Sequence, residues 1–165
     1  MSGSARLNMP FLSPGQAQKE LSHNEAVQTL DLLAAAAVEE APRSDPPTAP
    51  AMGACYIIDG APTGEWAGKS NYLAGYTSGG WRLIAPIDGL NAYVKSTGTW
   101  ANYRSGAWEI GTVRGASVVL DGVQVIGPQL GAIPAPTGGT NVDAEARVSI
   151  GQILAALRQH GLIET

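Results

Sequence analysis

In the central part of this chain the carboxylates that could do acid–base work are Asp59, Glu65, Asp88 and Glu109, followed by Asp121. Glycoside hydrolysis needs two carboxylates a fixed distance apart, one of them with a raised pKa. Glu65 beside Trp66 and Glu109 beside Trp108 are the pair with aromatic company. Nothing else in the sequence supplies a catalytic setting, so solvated strand-edge charges are the favoured reading. Neither the Gly-x-Ser-x-Gly elbow of a serine hydrolase nor a phosphate-cradling Gly-x-x-x-x-Gly-Lys-Ser/Thr occurs. His23 and His160 fall in opposite terminal segments, with no cysteine pair and no calcium loop, which leaves zinc and calcium without a ligand set. An exposed His23 is preferred over a polar layer inside a helical bundle. Cys55, beside Tyr56-Ile57-Ile58, reads as a small buried hydrophobe heading a strand rather than a reactive thiol. The expectation is a non-enzymatic chain with no cofactor and no metal.

The aromatic residues are more informative. Thr63-Gly64-Glu65-Trp66-Ala67 recurs as Thr97-Gly98-Thr99-Trp100-Ala101, and each copy runs on to a second tryptophan shortly after a glycine, Trp81 and Trp108. Trp81, Trp108, Tyr76, Tyr93 and Tyr103 suit a small β-core, because aromatic side chains bury large areas and favour strands. Turn-borne aromatics are harder to bury. Trp66, Trp100, Tyr72 and Tyr103, near Gly, Asn and Ser, are therefore the candidates to offer a flat face to a sugar ring.

The elements that would position these residues follow from local signals. Ser13-Pro14-Gly15-Gln16 reads as a helix start, with Ser13 as N-cap and Gln16 closing a capping box, and the helix is expected to run to about Glu40. Val27, Leu30, Ala34 and Ala37 keep heptad spacing along it, a stripe expected to meet a partner. Four prolines in 41–53 mark an extended linker. Short β-type runs then follow at 55–59, 71–76, 81–85, 92–95, 100–104 and 107–113, and Asp121-Gly122 between 116–120 and 123–126 predicts a hairpin with a type I′ turn. After a second Gly/Pro linker at 127–139, Thr140 or Asn141 caps a final helix that carries Ala146, Ile150, Ile153 and Leu157 on one face, and Gly161 stops it. The predicted class is α+β: an N-terminal helical arm (1–40), a small antiparallel barrel or sandwich (54–126) and a C-terminal helix (140–165), forming an elongated homo-oligomer through the two stripes.

Composition narrows the partners. With 165 residues, 44% of them apolar, the chain can bury one modest core, while 21 Gly and 11 Pro imply much turn and linker. A net charge of −4 with ten Lys plus Arg and no basic cluster disfavours nucleic acid. No apolar run approaches the length of a membrane span, and the N-terminus lacks a secretory pattern. The protein is expected in the cytoplasm unless it leaves in an assembly.

The run Met9-Pro10-Phe11-Leu12-Ser13-Pro14-Gly15-Gln16-Ala17-Gln18-Lys19-Glu20, with His23-Asn24-Glu25-Ala26 and Leu30-Asp31, resembles the signature of an uncharacterised domain family of bacteriophages, prophages and gene-transfer agents of alphaproteobacteria. Gly64-Glu65-Trp66-Ala67-Gly68, Gly80-Trp81 and Pro86-Ile87-Asp88-Gly89 extend the likeness. The stretch from Val142-Asp143-Ala144-Glu145 to His160-Gly161-Leu162-Ile163 is similar to a tail found in the same gene neighbourhoods. The resemblance implies a virion component, a trimeric fibre or spike on head or tail that contacts other virion proteins and host-surface polysaccharide. It brings no catalytic residues.

Overall fold

The computed structural model describes residues 3–15, 19–34, 36–140 and 143–165, and the chain divides into two compact units, Met1–Thr112 and Val113–Thr165. In the first, helix α1 (Lys19–Ala34) precedes eight strands: β1 (Ala37–Val38), β2 (Glu40–Arg43), β3 (Cys55–Ile58), β4 (Leu73–Thr77), β5 (Gly80–Ile84), β6 (Asn91–Val94), β7 (Thr99–Arg104) and β8 (Ala107–Ile110). They form two four-stranded sheets, ordered β1-β6-β7-β8 and β2-β3-β4-β5. In each sheet the first strand runs parallel to its neighbour, and the other three form an antiparallel meander. The α+β class holds; the sheets are mixed, and among the described residues no barrel closes.

Period-two burial explains the packing. Along β6, Ala92 and Val94 are buried and Asn91 and Tyr93 exposed. With Val38 and Ala101 they meet Cys55, Ile57 and Leu73 of the second sheet and Leu32 of α1 in one core. The opposite face of the second sheet is also covered: Tyr56, Ile58 and Ala74 pack with Trp66 in a second cluster. Cys55-Tyr56-Ile57-Ile58 is thus buried throughout, as a continuous apolar run on a two-sided strand should be. Gly75 admits α1, since a Cβ there would overlap the Leu32 methyls.

Several expectations are corrected in this unit. Gly15 has φ +109°, outside helical space, so Ser13 and Pro14 do not open α1; Gln16 lies outside the described residues. The helix ends at Ala34 instead of Glu40. Pairing of Ala37 and Val38 with Tyr93 and Val94, and of β2 with β3, outweighs the helix propensity of the alanine run. Ala37 is therefore a strand residue and leaves the predicted helical stripe. Leu30 and Ala34 are exposed and Val27 half-buried, whereas the buried residues of α1 are Leu32, which packs into the core of its own sheets, and Asp31, which faces the N-terminal segment. The helix is part of the first unit's core, not a free arm. The expected linker 41–53 begins as strand β2.

In the second unit, β9 (Val118–Leu120) and β10 (Val123–Ile126) form the predicted hairpin, with φ 49° at Asp121 and 79° at Gly122 as a type I′ turn requires. Helix α2 (Ala144–Gln159) is capped by Asp143, whose carboxylate accepts from the Ala146 N–H at 2.8 Å. That corrects the expected cap at Thr140; Asn141 is outside the described residues. Gly161 (φ +69°) ends α2, and the N–H groups of Gly161 and Leu162 return to the Arg158 and Leu157 carbonyls, a Schellman stop. Residues 127–139 lie along α2 instead of hanging free. Leu130 bridges to Ile163, and the Arg158 and Arg147 guanidinium groups donate to the carbonyls of Ile133 and Gly138.

Candidate functional site

The two Thr-Gly-x-Trp-Ala segments fold differently. Gly64, at φ +56°, opens a short 3-10 turn, Gly64–Trp66, within the connection 59–72. The turn folds over the outer face of the second sheet and seats Trp66, 0% exposed, 5.0 Å from the Trp81 ring and 5.8 Å from Tyr56. Trp66 has no face for a sugar, which corrects its place among the candidates. Gly98, at φ +68°, instead sits in the tight turn between β6 and β7. Nothing from that turn reaches back over the first sheet, and Trp100 is 58% exposed.

Trp100 points away from the core because its neighbour Ala101 points in. Its cross-strand partner is Tyr93, with the rings edge to face at 5.5 Å. Beside them lies a groove of about 340 Å³ lined by Leu33, Ala36, Ala37 and Asn91. The surface is apolar with one amide at its edge, chemistry suited to stacking a flat ring with a hydrogen-bonding rim. Tyr72 and Tyr103 do not join it. Tyr72 is half-buried against the Trp66 cluster, with the Lys69 ammonium 5.2 Å from its ring centre. Tyr103 packs edge to face on Trp108 at 5.3 Å, and the Trp108 indole N–H donates to the Asn71 backbone carbonyl at 2.7 Å.

Two of the carboxylates hold local structure. Asp59 accepts from the Ser44 hydroxyl at 3.0 Å, and Asp88 from the Ser105 N–H at 3.0 Å. Glu65 is exposed on the 3-10 turn, and Glu109 lies on β8 of the other sheet. His23 and His160 are exposed in different units. Among the described residues no three of His, Cys, Asp and Glu are grouped to hold a metal, and no helix is long and apolar enough to cross a membrane. Burial pushes the Cys55 thiol pKa up, although the Arg6 guanidinium donates to its sulfur at 3.4 Å and acts the other way.

One polar cluster lies outside the sequence-based candidates. Asp31, buried in α1, accepts from the Ser4 hydroxyl (2.8 Å) and from the N–H groups of Arg6 (2.9 Å) and Leu7 (2.6 Å). Asn24 bonds both backbone groups of Leu12, at 2.9 and 3.2 Å. These two helix residues strap the N-terminal segment along α1, bordering a cavity of about 470 Å³ that Asp31, Phe11 and Tyr76 also line.

A family model described as "Protein of unknown function (DUF2793)" matches residues 23–109, from the first turns of α1 to β8. The chain belongs to the DUF2793 family. No curated protein matches it. Within this DUF2793 region the structural repeat is a different one from the Thr-Gly-x-Trp-Ala pair. Tyr76-x-Ser78-Gly79-x-Trp81 and Tyr103-x-Ser105-Gly106-x-Trp108 each form a hairpin with a cross-strand Tyr–Trp pair, edge to face at 5.0 and 5.3 Å. That spacing was visible in the sequence. Tyr93 and Asn91 as neighbours of Trp100 carried no local signal, since the sheet register brings them there.

Proposed function

We propose that this chain is a non-enzymatic structural protein of a phage or gene-transfer-agent particle, a homo-oligomeric fibre or spike component attached to head or tail. It would serve host attachment or anchor a receptor-binding protein. The observation that carries the reading is the composition of the second unit's surface. Among its described residues only Leu154 and Ile163 are buried hydrophobics, whereas thirteen large hydrophobics are exposed, from Val113 through the hairpin to Ile150 and Ile153 of α2. A segment with so little core of its own is completed by association. The resemblance of its N-terminal and C-terminal stretches to particle proteins supplies the setting, and trimeric symmetry is taken from fibres. Of the predicted stripe on α2, Ala146, Ile150 and Ile153 are exposed and Leu157 half-buried, and on α1 Leu30 and Ala34 are exposed and Val27 half-buried, so both helices offer apolar surface for association. The test is to purify particles from a producing strain and probe them with antibody to this chain in electron micrographs. Labelling at discrete sites on head or tail is expected; particles free of the protein would end the proposal.

A second reading, a glycan-binding module for host capsule or lipopolysaccharide, is favoured by one observation, the open Trp100–Tyr93 surface beside its groove. Stacking of a flat nucleobase on one aromatic ring is worth about 1–3 kcal/mol; with a sugar ring taken as similar, Trp100→Ala should weaken adsorption to encapsulated cells by roughly five- to 150-fold. Unchanged adsorption by that variant would remove the adhesive role.

A further inference from the structure

The hairpin of the second unit is the element least able to stand as it is. Strands β9 and β10 pair only with each other, and among the described residues no third strand joins them. All seven of their residues are exposed and six are aliphatic. A lone two-stranded hairpin is marginal in water. Its register makes the problem one-sided: the pairs Val123–Leu120 and Ile126–Val118 set four aliphatic side chains on one face, each between 44% and 64% exposed, while Val119 pairs with Gln124 on the other. Solitary edges are ordinarily guarded by lysine, proline or inward charge. Neither strand holds any of these, and in 115–140 the single charged residue is Asp121, in the turn.

We propose that copies of this chain associate through this hairpin, the outer edge of β9 in one copy pairing with the outer edge of β10 in the next, with the face of Val118, Leu120, Val123 and Ile126 turned to a common axis. The inference rests on the oligomeric reading above and names its contact. The occupant is a second copy because the hairpin is complementary to itself. Its strands are antiparallel, so rotation about an axis along them brings β9 beside an antiparallel β10 and continues the same ladder. Pairing β9 with β9 across a twofold leaves the β10 edges open. A closed ring of three uses both edges of every hairpin and encloses the aliphatic faces in one interior. Apart from Asp121 in the turn, 115–140 carries no charge to select a partner of opposite charge.

Sedimentation equilibrium on the full chain tests this. The wild type is expected at three times the chain mass at micromolar concentration. Leu120→Asp/Val123→Asp, which places charge on the shared face, should sediment as monomer, with roughly a hundredfold or greater weakening of association. Gln124→Lys, on the opposite face, should keep the wild-type mass. Because an aspartate pair could also unmake the hairpin, Leu120→Ala/Val123→Ala provides a milder check and should raise the association midpoint about tenfold. A monomeric wild type overturns the oligomeric reading and this one with it. A wild-type oligomer whose mass survives both double variants overturns the hairpin contact alone and leaves the oligomeric reading standing.

Discussion

Asp31→Ala isolates the polar strap. One buried carboxylate accepts from three donors, the Ser4 hydroxyl and the Arg6 and Leu7 N–H groups, at 2.6 to 2.9 Å. Hydrogen bonds to a charged group are worth about 1.5–3 kcal/mol each, so three lost together would cost more than 4 kcal/mol if the donors stayed in place. They need not. Elsewhere the segment is held by Asn24 at Leu12 and by the Arg6 guanidinium on the Leu32 carbonyl at 3.2 Å and the Cys55 sulfur at 3.4 Å, so the backbone at Arg6 and Leu7 can lift into water and recover hydrogen bonds there. The loss is then limited to the docking free energy of the strap, about 2–4 kcal/mol. Asp31→Asn keeps one acceptor oxygen but turns an amide N–H toward the donors, and should cost about half as much. Urea unfolding followed by tryptophan fluorescence gives the global change. Amide exchange at Arg6 and Leu7 gives the local one, and their protection should collapse while that of β3 and β4 persists. A variant within about 0.5 kcal/mol of wild type, or Arg6 and Leu7 amides as protected as before, would refute the strap.

Two further outcomes test the layered core. Trp66→Ala should destabilise the first unit by about 3–5 kcal/mol, whereas Trp100→Ala, from an exposed ring, should cost less than about 1 kcal/mol; equal shifts in the urea midpoint would contradict the burial difference. Cys55 is held above its ordinary range by burial. Its neutral thiol therefore contributes stability that is full below about pH 8.5 and is lost as pH rises through the raised native value, since the unfolded chain deprotonates first. Wild-type stability should fall more steeply than that of Cys55→Ala across this alkaline range; parallel curves would rule out the thiol as the cause.

Local signals carried much of the fold. The strands begin and end within a few residues of the Gly, Asn and Ser clusters, the Asp-Gly hairpin has its type I′ turn, and Gly161 stops α2. What was not legible depends on pairing between distant segments. Nothing between residues 34 and 43 marks β1 and β2, because the alanines favour helix and Pro42 argues against a strand; their hydrogen bonds come from β6 and β3. The same holds for the aromatic candidates. Identical Thr-Gly-x-Trp-Ala strings gave a buried Trp66 and an exposed Trp100, since burial depends on what crosses each sheet face, not on the string itself.

The two sheets share one plan, a parallel edge strand beside a three-stranded meander, yet they put the repeated Tyr–Trp hairpin on opposite faces. In the second sheet Trp81 lies on the outer face with Tyr56 and Trp66. In the first, Trp108 lies against the shared core, and the outer face is left to Tyr93 and Trp100. Because strand side chains alternate, a motif that pairs the same way can serve either face once the register toward the other sheet differs by one residue. The longer connection 59–72 then accounts for the rest: it spans the outer face of the second sheet and seals it, while the short turn after β6 leaves the first sheet's face bare. An open aromatic surface on one sheet only is the consequence. Shortening the 59–72 connection should therefore expose a second aromatic face at Tyr56 and Trp81, at the cost of the Trp66 cluster.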